Sequence, residues 1–267
     1  MSEPNIEISQ DGAVRTVTLS RPAALNAFTA PMLVQLREAL EAAAADATVR
    51  CLVITGAGRG FCAGQDLSDP LIKPGFEPGD KPKDIGHLLD NYYIPMAKLL
   101  RQLPIPVLAA VNGVAAGAGA SLALSCDLVV AGSSASFIQA FSKIGLIPDC
   151  GGTWLLPRLV GRARALQLAL LGEKLPAAEA QQIGLIYRCV PDAELAATAQ
   201  ALAARLAAMP VRALAATRKA MDDALLMNHE QALQAESVTQ SQLGFGADYL
   251  EGAAAFLQKR TPSFSDR

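Results

Sequence analysis

The chain has 267 residues, a hydrophobic fraction of 51% and a charged fraction of 18%, which is enough apolar material for one sizeable core. Its formal net charge is −2 and its isoelectric point is near 5.8, so it offers no basic footprint for nucleic acid. Five cysteines (Cys51, Cys62, Cys126, Cys150 and Cys189) are odd in number and form no C-x-x-C pair, which excludes a disulfide frame and a zinc ribbon.

The N-terminal run MSEPNIEISQDG is acidic and holds no apolar stretch, so no secretory signal is expected and the cytoplasm is the expected location. AVRTVTLS (13–20) alternates and predicts a half-exposed strand. A helix follows from about Pro31, with Leu33, Leu36 and Leu40 forming one apolar stripe. VRCLVITG (49–56), PVLAAVNG (106–113) and DLVVAG (127–132) are apolar runs ending at glycine, the pattern of strands buried on both faces with helices between them. The segment 68–86 is rich in Pro, Gly and charge and predicts a surface loop; HLLDNYYIPMAKLLRQL after it predicts a helix in spite of Pro95. Residues 102–126 carry no charge over a membrane-spanning length. Pro104, Pro106, Asn112 and three glycines break them, so they predict a buried strand, a tight turn and a buried helix, with no membrane partner. From about 160 the pattern predicts helices alone, over 162–172, 177–184, 192–209 and 211–226.

Two glycine-rich groups are candidates for chemistry. LVITGAGRGFCAG (52–64) invites a dinucleotide reading, but G-x-G-x-x-G begun at Gly56 requires glycine where Phe61 stands. The form T-G-x-x-x-G-x-G begun at Thr55 finds Gly60 but requires glycine where Cys62 stands, and no Tyr-x-x-x-Lys follows. NGVAAGAGASLAL (112–124) follows a buried strand and opens a helix, where unpaired N–H groups can hold developing negative charge; close packing of strand and helix accounts for its glycines equally well. The chain has two histidines, His87 and His229, and HEQAL lacks the second histidine of a zincin helix, so no metal site is expected. Asp149 stands in the otherwise apolar stretch GLIPDCGGT (145–153), where it suits either a helix cap or a proton carrier whose pKa burial raises beside Ile147 and Phe141.

GRGFCAGQDL (58–67) and VLAAVNGVAAGAGASLAL (107–124), each after a strand, together resemble the paired signature of the crotonase family, the enoyl-CoA hydratases and isomerases. LSRPAALNAF (19–28), GLIPDCGGTWLLPRLVGRARALQLALLG (145–172) and FLQKRTPSF (256–264) extend the resemblance over nearly the whole chain. It implies an α/β fold, a spiral of ββα repeats over 1–204, and a C-terminal helical oligomerisation region over 205–267 that builds a homotrimer or a dimer of trimers. It implies an acyl-CoA thioester substrate, with coenzyme A arriving as part of that substrate and no separate cofactor.

The family's two thioester-oxygen donors fall on the backbone N–H of Gln65 and of Ala118, the latter where the family usually has glycine. The two glutamates of its hydratases fall on Ser121 and Phe141, which leaves Asp149 as the implied proton carrier. Asp66 and Asp127 are read as structural carboxylates, Asp66 beside the first donor at the CoA site. Ala23, Ala24 and Leu25, the run Ala63, Gly64, Asp66 and Leu67, and Gly117, Phe141 and Lys259 are the implied substrate and CoA contacts; Tyr92 and Tyr93 suit either the acyl pocket or helix packing. Within the family these turns are most similar to the isomerases that convert the ring 1,2-epoxide of phenylacetyl-CoA to an oxepin, with a Δ3 to Δ2 enoyl-CoA shift as a second activity. A general enoyl-CoA isomerase or hydratase of fatty-acid breakdown, and a non-catalytic acyl-CoA-binding scaffold, stay open beside it.

Overall fold

A computed structural model describes residues 5–73, 75, 81 and 83–267. Part of the 68–86 segment therefore lies outside the described residues. Strand β2 (Val14–Leu19) forms as its alternation predicts and pairs antiparallel with β1 (Ile6–Asp11), which was not anticipated because five of its six residues are exposed. Helix α1 (Ala30–Ala45) begins where Thr29 caps Met32 N–H and Asp69 accepts from Ala30 N–H at 2.7 Å.

Strands β3 (Cys51–Gly56), β5 (Val107–Val111) and β7 (Leu128–Gly132) are the three predicted apolar runs, joined in parallel register. Side chains of a strand alternate between faces, and both faces are covered. Leu52, Ile54, Val107, Ala109 and Val111 enter the main core. Cys51, Val53, Leu108 and Ala110 enter a smaller one against Leu195, Ala199, Ala203 and Ala207 of α7 (Leu195–Ala207). Among the described residues the first sheet runs β1-β2-β3-β5-β7-β10, where β10 is Arg188–Val190.

Each of β3, β5 and β7 is followed by a short strand of a second sheet: β4 (Gly60–Cys62), β6 (Val114–Ala116) and β8 (Ser136–Ile138), with β9 (Lys174–Pro176) antiparallel at its edge. A helix closes each turn. The first is the segment from α2 (Ile85–Leu88) through α3 (Ile94–Gln102), the second α4 (Ala118–Leu124), the third α5 (Gly152–Leu171). This is the expected crotonase fold, a spiral of ββα turns. The glycine run after β3 leads into β4 and not into a helix, so the dinucleotide arrangement is absent there.

Between α2 and α3 the chain forms a π-turn, Leu89–Tyr93, directly before Pro95. Proline has no N–H to donate and its ring crowds the preceding turn, which the wider π geometry accommodates. The helix read at 162–172 is the second half of α5, which kinks at Gly161. The expectation of helices alone beyond 160 is corrected by β9 and β10; three-residue strands are too short to leave a periodic signal. Helices α6 (Ala177–Gln182), α7, α8 (Val211–Ala224), α9 (His229–Gly244) and α10 (Ala247–Gln258) complete the chain. Arg218 fastens α8 to the core through Asp127 at 2.8 Å and the Leu103 and Ile105 carbonyls, and Asp127 accepts from Val107 N–H at 2.7 Å. No helix among the described residues is long and apolar enough to cross a membrane.

Candidate active site

Two tight turns, one after β4 and one after β6, face each other. At the first, Phe28 N–H donates to Gly64 C=O at 2.7 Å and Asp66 N–H donates to Phe28 C=O at 2.8 Å. Gly64 C=O and Gln65 N–H belong to one trans peptide group, so holding the carbonyl on Phe28 turns the N–H the opposite way. The Gln65 N–H has no acceptor among the described residues. Gly64 has φ +91°, and a Cβ there would stand 2.8 Å from Ala116 O and 3.6 Å from Ala118 N. The two turns approach that closely because a glycine is present.

At the second turn, Gly117 (φ +52°) accepts from Ser121 N–H at 3.1 Å, which aims the Ala118 N–H out of the start of α4. Ala118 is not among the residues with positive φ, so alanine serves here as well as glycine. No acceptor among the described residues takes the Gln65 or the Ala118 N–H, and the two turns lie against each other.

Both turns open on one cavity of about 450 Å³. Ala63, Gly64, Gln65, Leu67, Gly117, Ala118, Phe141 and Asp149 of the predicted set line it, with Tyr93 and the aliphatic side chains of Ile72, Ile85, Leu88 and Leu89. A second cavity of about 350 Å³ adjoins it and shares Ile85, Leu89, Tyr93, Leu146 and Asp149. Asp149 thus stands between an amide pair and an apolar chamber.

Its carboxylate caps nothing. The backbone of Asp149 accepts from Gly152 N–H at 2.8 Å, but α5 has Gly151 as its N-cap and no side chain caps it. Oδ1 of Asp149 is buried with no hydrogen-bond partner among the described residues. Burial pushes the Asp149 carboxyl up to about 6, against a downward pull from the Cys150 thiol. Ile147, expected to cover it, is 75% exposed; Phe141, 6% exposed, is the apolar neighbour inside the cavity. Ser121 is fully buried, outside the cavity lining, and its Oγ stands 3.0 Å from where a Cβ on Gly152 would be.

Other predicted residues are placed apart. Asp66 pairs with Arg21 at 2.9 Å and accepts from Ser68 N–H and Oγ; the Ser68 hydroxyl first, then Arg21, hold its carboxyl below the usual range. Ala23, Ala24 and Leu25 form a turn behind the first amide, joined to it by Ala63 N–H donating to Leu25 C=O at 3.0 Å. Lys259 ends α10, exposed, and lines none of the described cavities. Among the described residues no group of three His, Cys, Asp or Glu side chains gathers in a form that could hold a metal ion.

The sequence left Tyr93 between two roles; it packs in the main core and also lines the cavity. Its ring is 1% exposed and edge-on to Phe28 with centroids 6.0 Å apart, while its hydroxyl donates to Gln65 Oε1 at 2.6 Å. Burial pushes its phenol well above the usual range, so it stays protonated.

The spiral of ββα turns is the crotonase fold, and Gln65, Ala118 and Asp149 line one cavity of it. The enoyl-CoA hydratase/isomerase family matches residues 9–267, and the chain belongs to that family of enzymes acting on CoA thioesters. It is 51% identical to the 1,2-epoxyphenylacetyl-CoA isomerase of Escherichia coli K12, over 95% of each chain. It is 39% identical to the 2,3-dehydroadipyl-CoA hydratase of the same organism, over 97% of this chain and 98% of that one. The solved enoyl-CoA hydratase of Bacillus anthracis superposes with a TM-score of 0.90 at 31% identity, over 99% of this chain and all of that one.

Proposed function

We propose that the chain is an acyl-CoA isomerase that converts ring-1,2-epoxyphenylacetyl-CoA to its oxepin isomer, and that the same site shifts enoyl-CoA double bonds from Δ3 to Δ2. The observation that carries this is Asp149: a buried carboxylate with an unpartnered oxygen, across one cavity from two free amides, while Ser121 and Phe141 supply no second carboxylate. Water addition needs a pair of groups to manage the water, whereas isomerisation needs one group to move a proton between carbons. The 51% identity to an epoxyphenylacetyl-CoA isomerase supports the aromatic substrate.

In this mechanism the thioester oxygen lies between the Gln65 and Ala118 amides. Asp149 takes a proton from the carbon beside the thioester, and the resulting charge rests on that oxygen, where each fixed amide contributes roughly 10²–10³ in rate. The pair of electrons left behind moves into the unsaturated system. For the epoxide, the carbon–carbon bond shared by the two rings opens to the seven-membered oxepin, and Asp149 returns the proton to a ring carbon. For a Δ3 enoyl chain the proton returns to C4. Atoms are conserved throughout, and coenzyme A arrives with the substrate, so no cofactor enters. The CoA end follows the Ala23–Leu25 turn and the Ala63–Leu67 run. A cytoplasmic homotrimer, or a pair of trimers, buries the apolar side chains that α10 leaves outward in the single chain, Leu250, Phe256 and Leu257.

The test is turnover of a cis-3-enoyl-CoA in D₂O by the parent and by Asp149→Asn, followed by the epoxide itself. Conjugation with deuterium entering C2 and C4 in the parent, lost in the variant while thioester binding persists, supports the reading. Equal turnover by both proteins removes Asp149 from the mechanism. Binding of thioesters without turnover of either substrate leaves the scaffold reading in its place.

A further inference from the structure

We infer that Tyr93 is a positioning residue for the thioester-oxygen donor on Gln65. The inference rests on the reading of the amide pair given above. It begins with a weakness: the Gln65 N–H belongs to a peptide group whose other member is Gly64, and glycine is the residue least able to hold a backbone angle by itself. Phe28 steadies that peptide by its N–H on Gly64 C=O, and Tyr93 steadies both partners at once. Its ring packs edge-on against Phe28, and its hydroxyl holds the Gln65 side chain at 2.6 Å, whose Nε2 in turn lies 3.3 Å from Asp66 C=O.

The local chain is built to deliver this hydroxyl. Tyr93 is the last residue of the π-turn that Pro95 follows, and π-turns inside helices often mark functional positions because the extra residue turns a side chain away from the α-helical direction. Tyr93 also lines both cavities that Asp149 lines, while its hydroxyl is engaged with the donor turn. A bound acyl chain meets the turn already clamped, and a preset donor loses nothing to reorganisation when charge develops on the oxygen.

The experiment uses Tyr93→Phe, which keeps the buried ring and its contact with Phe28, and Gln65→Met, which keeps the backbone N–H and removes the side-chain amide. Infrared difference spectra of a bound ¹³C=O-labelled enoyl-CoA report how strongly the amides polarise the carbonyl. Tyr93→Phe is expected to lower kcat about tenfold with KM changed less than about twofold, and to shrink the carbonyl red-shift. Gln65→Met is expected to do the same, and the double variant to fall no further than Gln65→Met alone, because both remove one link. Unchanged kcat and carbonyl shift with a lowered melting temperature would reduce Tyr93 to a packing residue. Losses that multiply in the double variant would put the hydroxyl on the substrate and overturn the indirect role. A parent protein that binds the labelled thioester with no red-shift would sink the amide-pair reading itself, and this inference with it.

Discussion

The turn that carries Gln65 and the turn that carries Asp149 face the same cavity and are built on opposite principles. Around Gln65 the polar groups are paired: Gly64 C=O and Asp66 N–H on Phe28, Gln65 Oε1 on Tyr93, Asp66 on Arg21 and Ser68. One N–H, that of Gln65, is left without an acceptor among the described residues. Around Asp149 the Cys150 thiol is the one side chain that pulls the carboxyl down among the described residues. Oδ1 has no partner among them, burial lifts the carboxyl to about 6, and the next two residues, Cys150 and Gly151, both hold positive φ. A site for charge that develops briefly has to be stiff, whereas a group that must take a proton and give it back has to be poorly solvated in its charged form.

The most severe way to break this contrast is Asp149→Asn. General acid–base catalysis typically contributes 10²–10⁴ in rate, so turnover of a Δ3 enoyl-CoA is expected to drop by about that factor, with thioester affinity retained in a direct binding titration. A drop of less than about tenfold would make the carboxylate dispensable. Gly64→Ala attacks the other turn. The new Cβ meets a backbone oxygen at 2.8 Å in a residue with φ +91°, so the donor peptide has to move, and a loss of about 10²–10³ in kcat/KM is expected. Retained activity in that variant would mean that the Gln65 amide does not hold the oxygen.

The pH dependence sharpens the contrast further. As a base, Asp149 must be ionised, so kcat/KM is expected to fall on the acid side of about pH 6 and to level above it. Stability has the opposite sign. A carboxyl raised from 3.8 to about 6 by folding binds its proton more tightly in the native state, so the stability it contributes is complete below about 3.8 and is lost as pH rises through 6. The full difference is on the order of 2 to 3 kcal/mol. Asp149→Asn lacks this dependence, so its melting temperature relative to the parent is expected to climb between pH 4 and 6 and then stay level. A constant offset across that range would show the parent carboxyl to be unperturbed.

How much of this could be read in advance followed from how local each signal is. The runs at β3, β5 and β7 and the glycine turns after them were visible because each signature lies within a dozen residues. Asp149 was visible as a charge among apolar neighbours. The second sheet was not, since strands such as Gly60–Cys62 and Ser136–Ile138 span too few residues to show a period. Nor was the clamp on Gln65: Tyr93 is 28 residues away, and only the fold of the π-turn brings its hydroxyl there. Lys259 was placed at the CoA site by likeness alone, and in the chain it stands at the exposed end of α10.

The gentlest probe of the Asp149 turn is Cys150→Gly. A side chain at φ 49° costs roughly 1–2 kcal/mol against the right-handed alternative, and glycine removes that cost. Glycine also loosens the unfolded chain by roughly 0.5–1 kcal/mol and gives up the thiol's packing, so the melting temperature is expected to move little. The informative readout is the acid limb of the rate profile. The Cys150 thiol pulls the Asp149 carboxyl downward, so its removal is expected to move that limb to higher pH while the plateau rate is kept. A limb that stays in place would mean that burial alone sets the carboxyl. A plateau that collapses would mean that the left-handed turn, and not only the carboxylate it carries, needs a side chain at residue 150 to stay in register with the amides across the cavity.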